Sequence, residues 1–328
     1  MKASFFISLL ALLAAGFLPV QSKADTFLSN GVLYRSVSEI GNRLGMKLES
    51  GDDGRSTRLS SQWTQMDFVN GSRIFRINGI RMYLGYPTLE RSGTLYVPEL
   101  DWQFTISSIL IPPRLSSHQK QLRTIVLDAG HGGKDPGAQN LSLGLNEKDL
   151  TLEVSKRLER HLKRAGFQVV LTRKNDRYLT LKQRSDIARK VKADLFLSLH
   201  FNASTQDSAN GIETFAFTLL NQPSTSRSEL DASDKIFRRA NRYDAFNTLL
   251  AYTVQKHLIH STKQTDRGVK RSRFWVLEDL SCPGALVELG FIRHPETATQ
   301  LQNDAYLELL ATTLTTAIVQ YQARLNES

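Results

Sequence analysis

The chain has 328 residues, 41% hydrophobic and 23% charged, with a formal net charge of +10. That apolar content excludes a disordered polymer, and the length allows one large domain and one small one. The positive balance suits anionic partners such as wall polymers or membrane surfaces, and equally a generally basic soluble surface. No dense Lys/Arg run interleaved with aromatics is present, which argues against nucleic acid as a partner.

Residues 1–24 read as an export signal. Lys2 precedes an apolar run from Phe5 to Val20, and Ser22-Lys23-Ala24 ends in a small residue where cleavage is expected. The competing reading is a retained anchor, because the run is near the lower limit for spanning a bilayer. After cleavage no integral membrane segment is expected, and the net charge falls by two, to +8, with Lys2 and Lys23. The expected location is the periplasm or cell envelope.

Residues 25–112 predict a small β-rich domain serving as a stalk or wall-binding module. A helix over 36–44 lies between short strands, and "GSRIFRINGIRMYLGYPTLERSGTLYVPELDW" alternates between Asn-Gly, Gly-Tyr-Pro and Ser-Gly turns. No histidine falls in this region. Residues 113–123, proline then polar, read as a linker.

From Thr124 onward strands and helices alternate. "TIVLD" is a strand, followed by a glycine-rich loop and a helix with Leu150, Val154, Leu158 and Leu162 on one face. Asn146 and Asp149 suggest a capping box for it, and Gly166 its end. "QVVLT" is the next strand, and Thr180 with Gln183 opens another helix. "LFLSL", "IETFAF", "FWVL" and "ALVEL" read as strands, with helices over 244–260 and 304–325. The pattern predicts an α/β fold, a largely parallel central sheet with helices on both faces, over residues 124–328. Residues 220–243 are a polar insertion, expected to be either a lid or wall of the active site or a solvated loop. Cys282 is the single cysteine and reads as a buried structural thiol, so no intrachain disulfide is possible.

Four residues stand where strands end or a helix begins: His131 in "GHGGKDPGA", Glu147 in "LNEKDL", His200 in "LFLSLHFNAS" and Glu288 in "ALVELGF". Ligand sites in open α/β sheets lie beyond the carboxyl ends of the strands. Two imidazoles and a carboxylate suit Zn²⁺ and leave a position open for water. Glu288, a carboxylate within an apolar strand, is then available to take that water's proton. Asp128 reads either as an acceptor steadying an imidazole or, by slight preference, as a turn or loop carboxylate. His118, His161, His257, His260 and His294 read as structural or solvent-facing.

These motifs, in this order, resemble the zinc-dependent N-acetylmuramoyl-L-alanine amidases of the amidase type 3 family, over about residues 123–325. "VLDAGHGGKDPGA", "NEKDLTLEV", "ADLFLSLHFNA" and "VELGFI" carry the resemblance, with "GIETFAF" and "RGVKRSRFWVL" in the expected positions. It implies zinc binding by His131, Glu147 and His200, a catalytic role for Glu288, and cleavage of the amide joining N-acetylmuramic acid to L-alanine in peptidoglycan. The chain departs from the family at Ala188-Arg189, where Asn often follows the Ala. The 220–243 insertion is longer than in minimal members, and in some relatives a helix there blocks the zinc. An activator protein acting on that insertion is therefore an open expectation. The front domain faintly resembles copper amine oxidase N-terminal-like domains but has no copper ligands. The rival readings are another envelope zinc hydrolase, a peptidase or deacetylase, and a non-catalytic peptidoglycan-binding protein.

Overall fold

The computed structural model describes residues 25–51, 54–115, 121–204, 206 and 208–326. The expected export signal, and His118 in the linker, lie outside the described residues. No helix among those described is long and apolar enough to cross a membrane.

The front of the chain is built from short strands: β1 (Thr26–Ser29), β2 (Val32–Ser36), β3 (Lys47–Ser50), β4 (Ser56–Ser60), β5 (Gln65–Val69), β6 (Ile74–Ile77), β7 (Ile80–Tyr83), β8 (Leu89–Arg91) and β9 (Thr94–Pro98). Asn30-Gly31 and Asn78-Gly79 have positive φ at both residues, which is what a two-residue hairpin turn needs to follow the strand twist. Helix α1 (Val37–Leu44) starts at Ser36, whose Oγ accepts the Glu39 N–H at 3.0 Å, and stops at Gly45 in the left-handed region. A helical stretch closes the segment, with α2 (Glu99–Asp101), a wide turn over Trp102–Ile106 and α3 (Ser107–Leu110).

The remainder runs β10 (Thr124–Ala129), the small hairpin β11 (Gln139–Asn140) and β12 (Leu145–Asn146), α4 (Glu147–Arg164), β13 (Gln168–Leu171), α5 (Leu181–Lys190), β14 (Leu195–Asn202), β15 (Ile212–Phe217), α6 (Asp244–Thr262), β16 (Asp266–Ser272), α7 (Trp275–Glu278), β17 (Gly284–Phe291), α8 (Pro295–Leu301) and α9 (Asp304–Asn326). The expected capping box is present at Thr180 and Gln183. At α4 it is absent. The Asn146 side chain donates to Asp149 instead, and the first helical N–H groups bond Ala138 and Pro136 carbonyls of the glycine-rich loop.

β13, β10, β14 and β17 pair in parallel, β15 joins β17 antiparallel, and β16 joins β15 in parallel. Side chains alternate between two faces, as pleating requires. Ile125, Leu127, Leu197 and Val287 share one cluster with residues of α4, α6 and α9. Val126, Phe196 and Leu286 share the other with Ala188 of α5 and with Val276 and Leu277 of α7.

One expectation needs correction. "FWVL" does not form a strand but the turn of helix α7, because Val276 and Leu277 pack side by side on the second cluster while Trp275 turns outward. Four apolar residues do not distinguish the two periods. The strand lies just upstream at β16, whose sequence "DRGVKRS" is too polar to read as buried. β16 also pairs in parallel with β7, so the sheet continues across the expected linker into β7, β6, β5, β4 and β3, eleven strands in all.

Buried Arg271 of β16 locks this junction. Its guanidinium donates to Phe217 O, Phe104 O, Thr105 Oγ1 and Thr248 Oγ1. Asp101, fully buried beside it, accepts the Gly85 N–H, Thr105 Oγ1 and Gln222 Nε2. The insertion is strapped to the same region: Arg73 bonds the Arg227 carbonyl, and Arg238 pairs with Glu278 of α7 at 3.4 Å. Replacing Arg271 by Ala should cost about 3 kcal/mol, because buried acceptors and the carboxylates of Asp101 and Asp244 lose their cation. Urea titration should show a lower midpoint, with the front strands and the rest unfolding in one transition.

Candidate metal centre

β10, β14 and β17 lie side by side and run the same way, so the residues at their carboxyl ends converge. His131 follows β10, while His200 and Glu288 are direct partners across β14 and β17. Glu147 opens α4, and the loop between 130 and 146 turns it back onto the strand ends. Four of the loop's five glycines, all but Gly144, are required by close approach. A Cβ on Gly130 would stand 2.4 Å from the His200 ring, and one on Gly137 would stand 2.6 Å from a Glu147 oxygen. His131 itself adopts φ 59°, unusual for a residue with a side chain. It is held there by Arg184, which donates to its carbonyl at 2.7 Å.

The Glu147 carboxylate is buried and lies at the centre. Its Oε1 is 3.0 Å from His131 Nε2 and 2.9 Å from His200 Nδ1, and it accepts the Phe201 N–H; its Oε2 accepts the Ala138 N–H. Burial by itself raises its pKa, but the two imidazoles outweigh this and bring it down to about 2. Burial would lower the His131 pKa, yet contact with Glu147 and Asp135 leaves it raised above its ordinary value.

Among the described residues this is the one group of three such side chains whose donor atoms converge, all within 4.8 Å of one another. Two imidazole nitrogens and a carboxylate oxygen fit a metal ion with a site left open, and such a site needs each imidazole oriented through its second nitrogen. Asp135 does this for His131, accepting at Nδ1 over 2.8 Å and leaving Nε2 directed at Glu147.

Glu288 faces an open groove of about 370 Å³ that His131, Glu147 and His200 also line. Its Oε2 is buried without a hydrogen-bond partner. Burial, with the nearby carboxylates of Glu147 and Glu213, holds its pKa well above the usual carboxylate range, despite Lys270. Glu213 lies opposite it on β15 and pairs with Arg267 at 2.8 Å and Lys270 at 2.5 Å.

Asp128 is not the acceptor for an imidazole, nor a turn carboxylate. It is buried in β10 and binds Thr172 Oγ1, Ser198 Oγ and Arg184 Nη1, the same arginine that holds the His131 carbonyl. Asp135 and Glu213 were missed. Asp135 was signalled by its place four residues after His131, and Glu213 by being, like Glu288, a carboxylate inside an apolar strand. His161, His257, His260 and His294 join no such cluster, and His161 contacts Glu308 at 2.5 Å. Cys282 is buried and unpaired, and burial pushes its thiol up to about 12. No residue of the 220–243 insertion lines the groove.

Imidazoles and carboxylates gathered at the carboxyl edge of an α/β sheet are a donor set that suits metal-assisted hydrolysis. The chain belongs to the N-acetylmuramoyl-L-alanine amidase family, whose sequence pattern it matches over residues 125–320, and it is an amide hydrolase of that class. It is 33% identical over 198 residues to the N-acetylmuramoyl-L-alanine amidase LytC of Bacillus subtilis, a match covering 60% of this chain and 35% of LytC. Among solved structures it resembles an N-acetylmuramoyl-L-alanine amidase from Clostridium difficile 630 (TM-score 0.52, 30% identity, 61% of this chain and 97% of that one). It also resembles the CwlD amidase from Clostridioides difficile, solved in complex with the GerS lipoprotein (TM-score 0.51, 28% identity, 61% and 98%).

Asp135→Asn should weaken binding of a divalent ion such as zinc roughly 10- to 100-fold, because His131 loses the acceptor that orients it. Chelator competition measures this directly. In the unaltered protein, affinity should fall as pH drops through the raised pKa of His131, since the ligand must be the neutral imidazole, and uptake should release protons.

Proposed function

We propose that this chain is an exported, zinc-dependent peptidoglycan amidase that cleaves the bond between the lactyl group of N-acetylmuramic acid and the L-alanine of the stem peptide. The observation that carries the proposal is the convergence of His131, Glu147 and His200 in the groove that also holds Glu288. Family membership supports the substrate class. LytC extends well beyond the matched region, so the activity of the whole protein is part of the proposal.

His131, Glu147 and His200 would hold the ion. When bound, zinc supplies Lewis acidity, making water a better nucleophile and polarising the amide carbonyl. Glu288 accepts a proton from the attacking water and returns it to the departing nitrogen, so the leaving group departs as an amine. Its oxygen without a partner is open to a proton, and a pKa raised by burial makes it a stronger base than an ordinary carboxylate. Phe201, Phe274 and Leu286 give the groove an apolar part to its lining beside the reacting centre. A partner protein would act through the 220–243 insertion, which reaches the groove's helix α7 through the Arg238–Glu278 pair and through Ala240, packed with Val276 and Leu277.

Purified protein should release intact stem peptides beginning at L-alanine from sacculi, identified by mass, and chelation should abolish release. Turnover that persists in chelator would end the metal reading. Products cut within the peptide, or deacetylated sugars, would favour a peptidase or deacetylase. Glu288→Gln should retain zinc while losing about 10²- to 10⁴-fold in kcat.

A further inference from the structure

Trp275 is 73% exposed and lines the same groove as His131, Glu147, His200 and Glu288. An indole this open beside a site offers a broad apolar face with a polar edge to whatever fills the groove. Its mounting is rigid. Phe274 packs edge-on against Phe215 at 5.1 Å, Val276 and Leu277 are buried in the core, and Glu278 is tied to Arg238. Those neighbours anchor α7 without the indole, so the indole contributes little to the fold and is free to present a flat face beside the site.

We propose that Trp275 is a saccharide-stacking subsite that seats the muramoyl ring of the substrate and so selects glycan-linked amides; this rests on the peptidoglycan reading above. A pyranose ring has an apolar C–H face and hydroxyls at its edge. It covers an indole face while its hydroxyls stay in water, which is the amphipathic fit an exposed tryptophan offers. The alanine methyl on the other side of the scissile bond covers only a small part of such a face. Leu181, half-exposed on the opposing helix α5, continues the apolar rim.

The test uses full-length Glu288→Gln protein, titrated calorimetrically with peptide-free glycan strands and, separately, with free stem peptide. Adding Trp275→Ala should weaken glycan binding roughly tenfold and spare peptide binding, while Trp275→Phe should recover most of the loss. In protein with Glu288 intact, Trp275→Ala should raise KM on sacculi, with the loss carried by KM rather than kcat. Glycan affinity that is undetectable, or equal with and without the indole, overturns the subsite, as does a loss confined to the peptide. Because the titration needs no turnover, failure of the amidase reading would show as absent hydrolysis with glycan binding still dependent on Trp275.

Discussion

The buried carboxylate of Glu147 is the constraint around which the rest is arranged. A carboxylate taken out of water is costly unless every oxygen is met. Here it stands at the first position of α4, where the helix dipole favours negative charge, and receives two backbone N–H groups and two imidazoles. Those contacts dictate that the 130–146 loop fold back tightly. They explain why Gly130 and Gly137 bear no side chain and why His131 accepts a left-handed backbone.

The support extends outward through further charged side chains. Arg184 holds both Asp128 and the His131 carbonyl, Asp128 in turn binds strands and helix together, and Asp135 orients the ring. On the other flank His200, Glu288 and Glu213 form a row across three adjacent strands, with Arg267 and Lys270 answering its outer charge. Glu288 is left as the member of that row with an unmet oxygen, a strain a purely structural sheet would have no reason to retain.

The front segment belongs to this architecture rather than hanging from it. β7 extends the sheet from β16, and the Arg271 cluster ties the front helices to α6 and the insertion to both. Lys270, which faces Glu213, and Arg271, which faces the front segment, are successive residues on opposite faces of one strand. Docking of the front segment and the electrostatics beside Glu288 are thus carried by the same short element.

Much of this was legible in the residues themselves. Apolar runs marked β10, β14 and β17, a period-3.6 pattern marked α4, and the chemistry of His131, Glu147, His200 and Glu288 announced a centre, because few other roles explain imidazoles and carboxylates at strand ends. What the sequence could not show was partnership through space. "FWVL" reads equally as strand or helix until the second core claims Val276 and Leu277, and "DRGVKRS" joins the sheet only because Glu213, Phe217 and Thr105 are there to satisfy its charges. Local pattern determined which residue types were available; the tertiary fold decided which of them meet, since hydrogen bonding and charge compensation act over ångströms and are blind to separation along the chain.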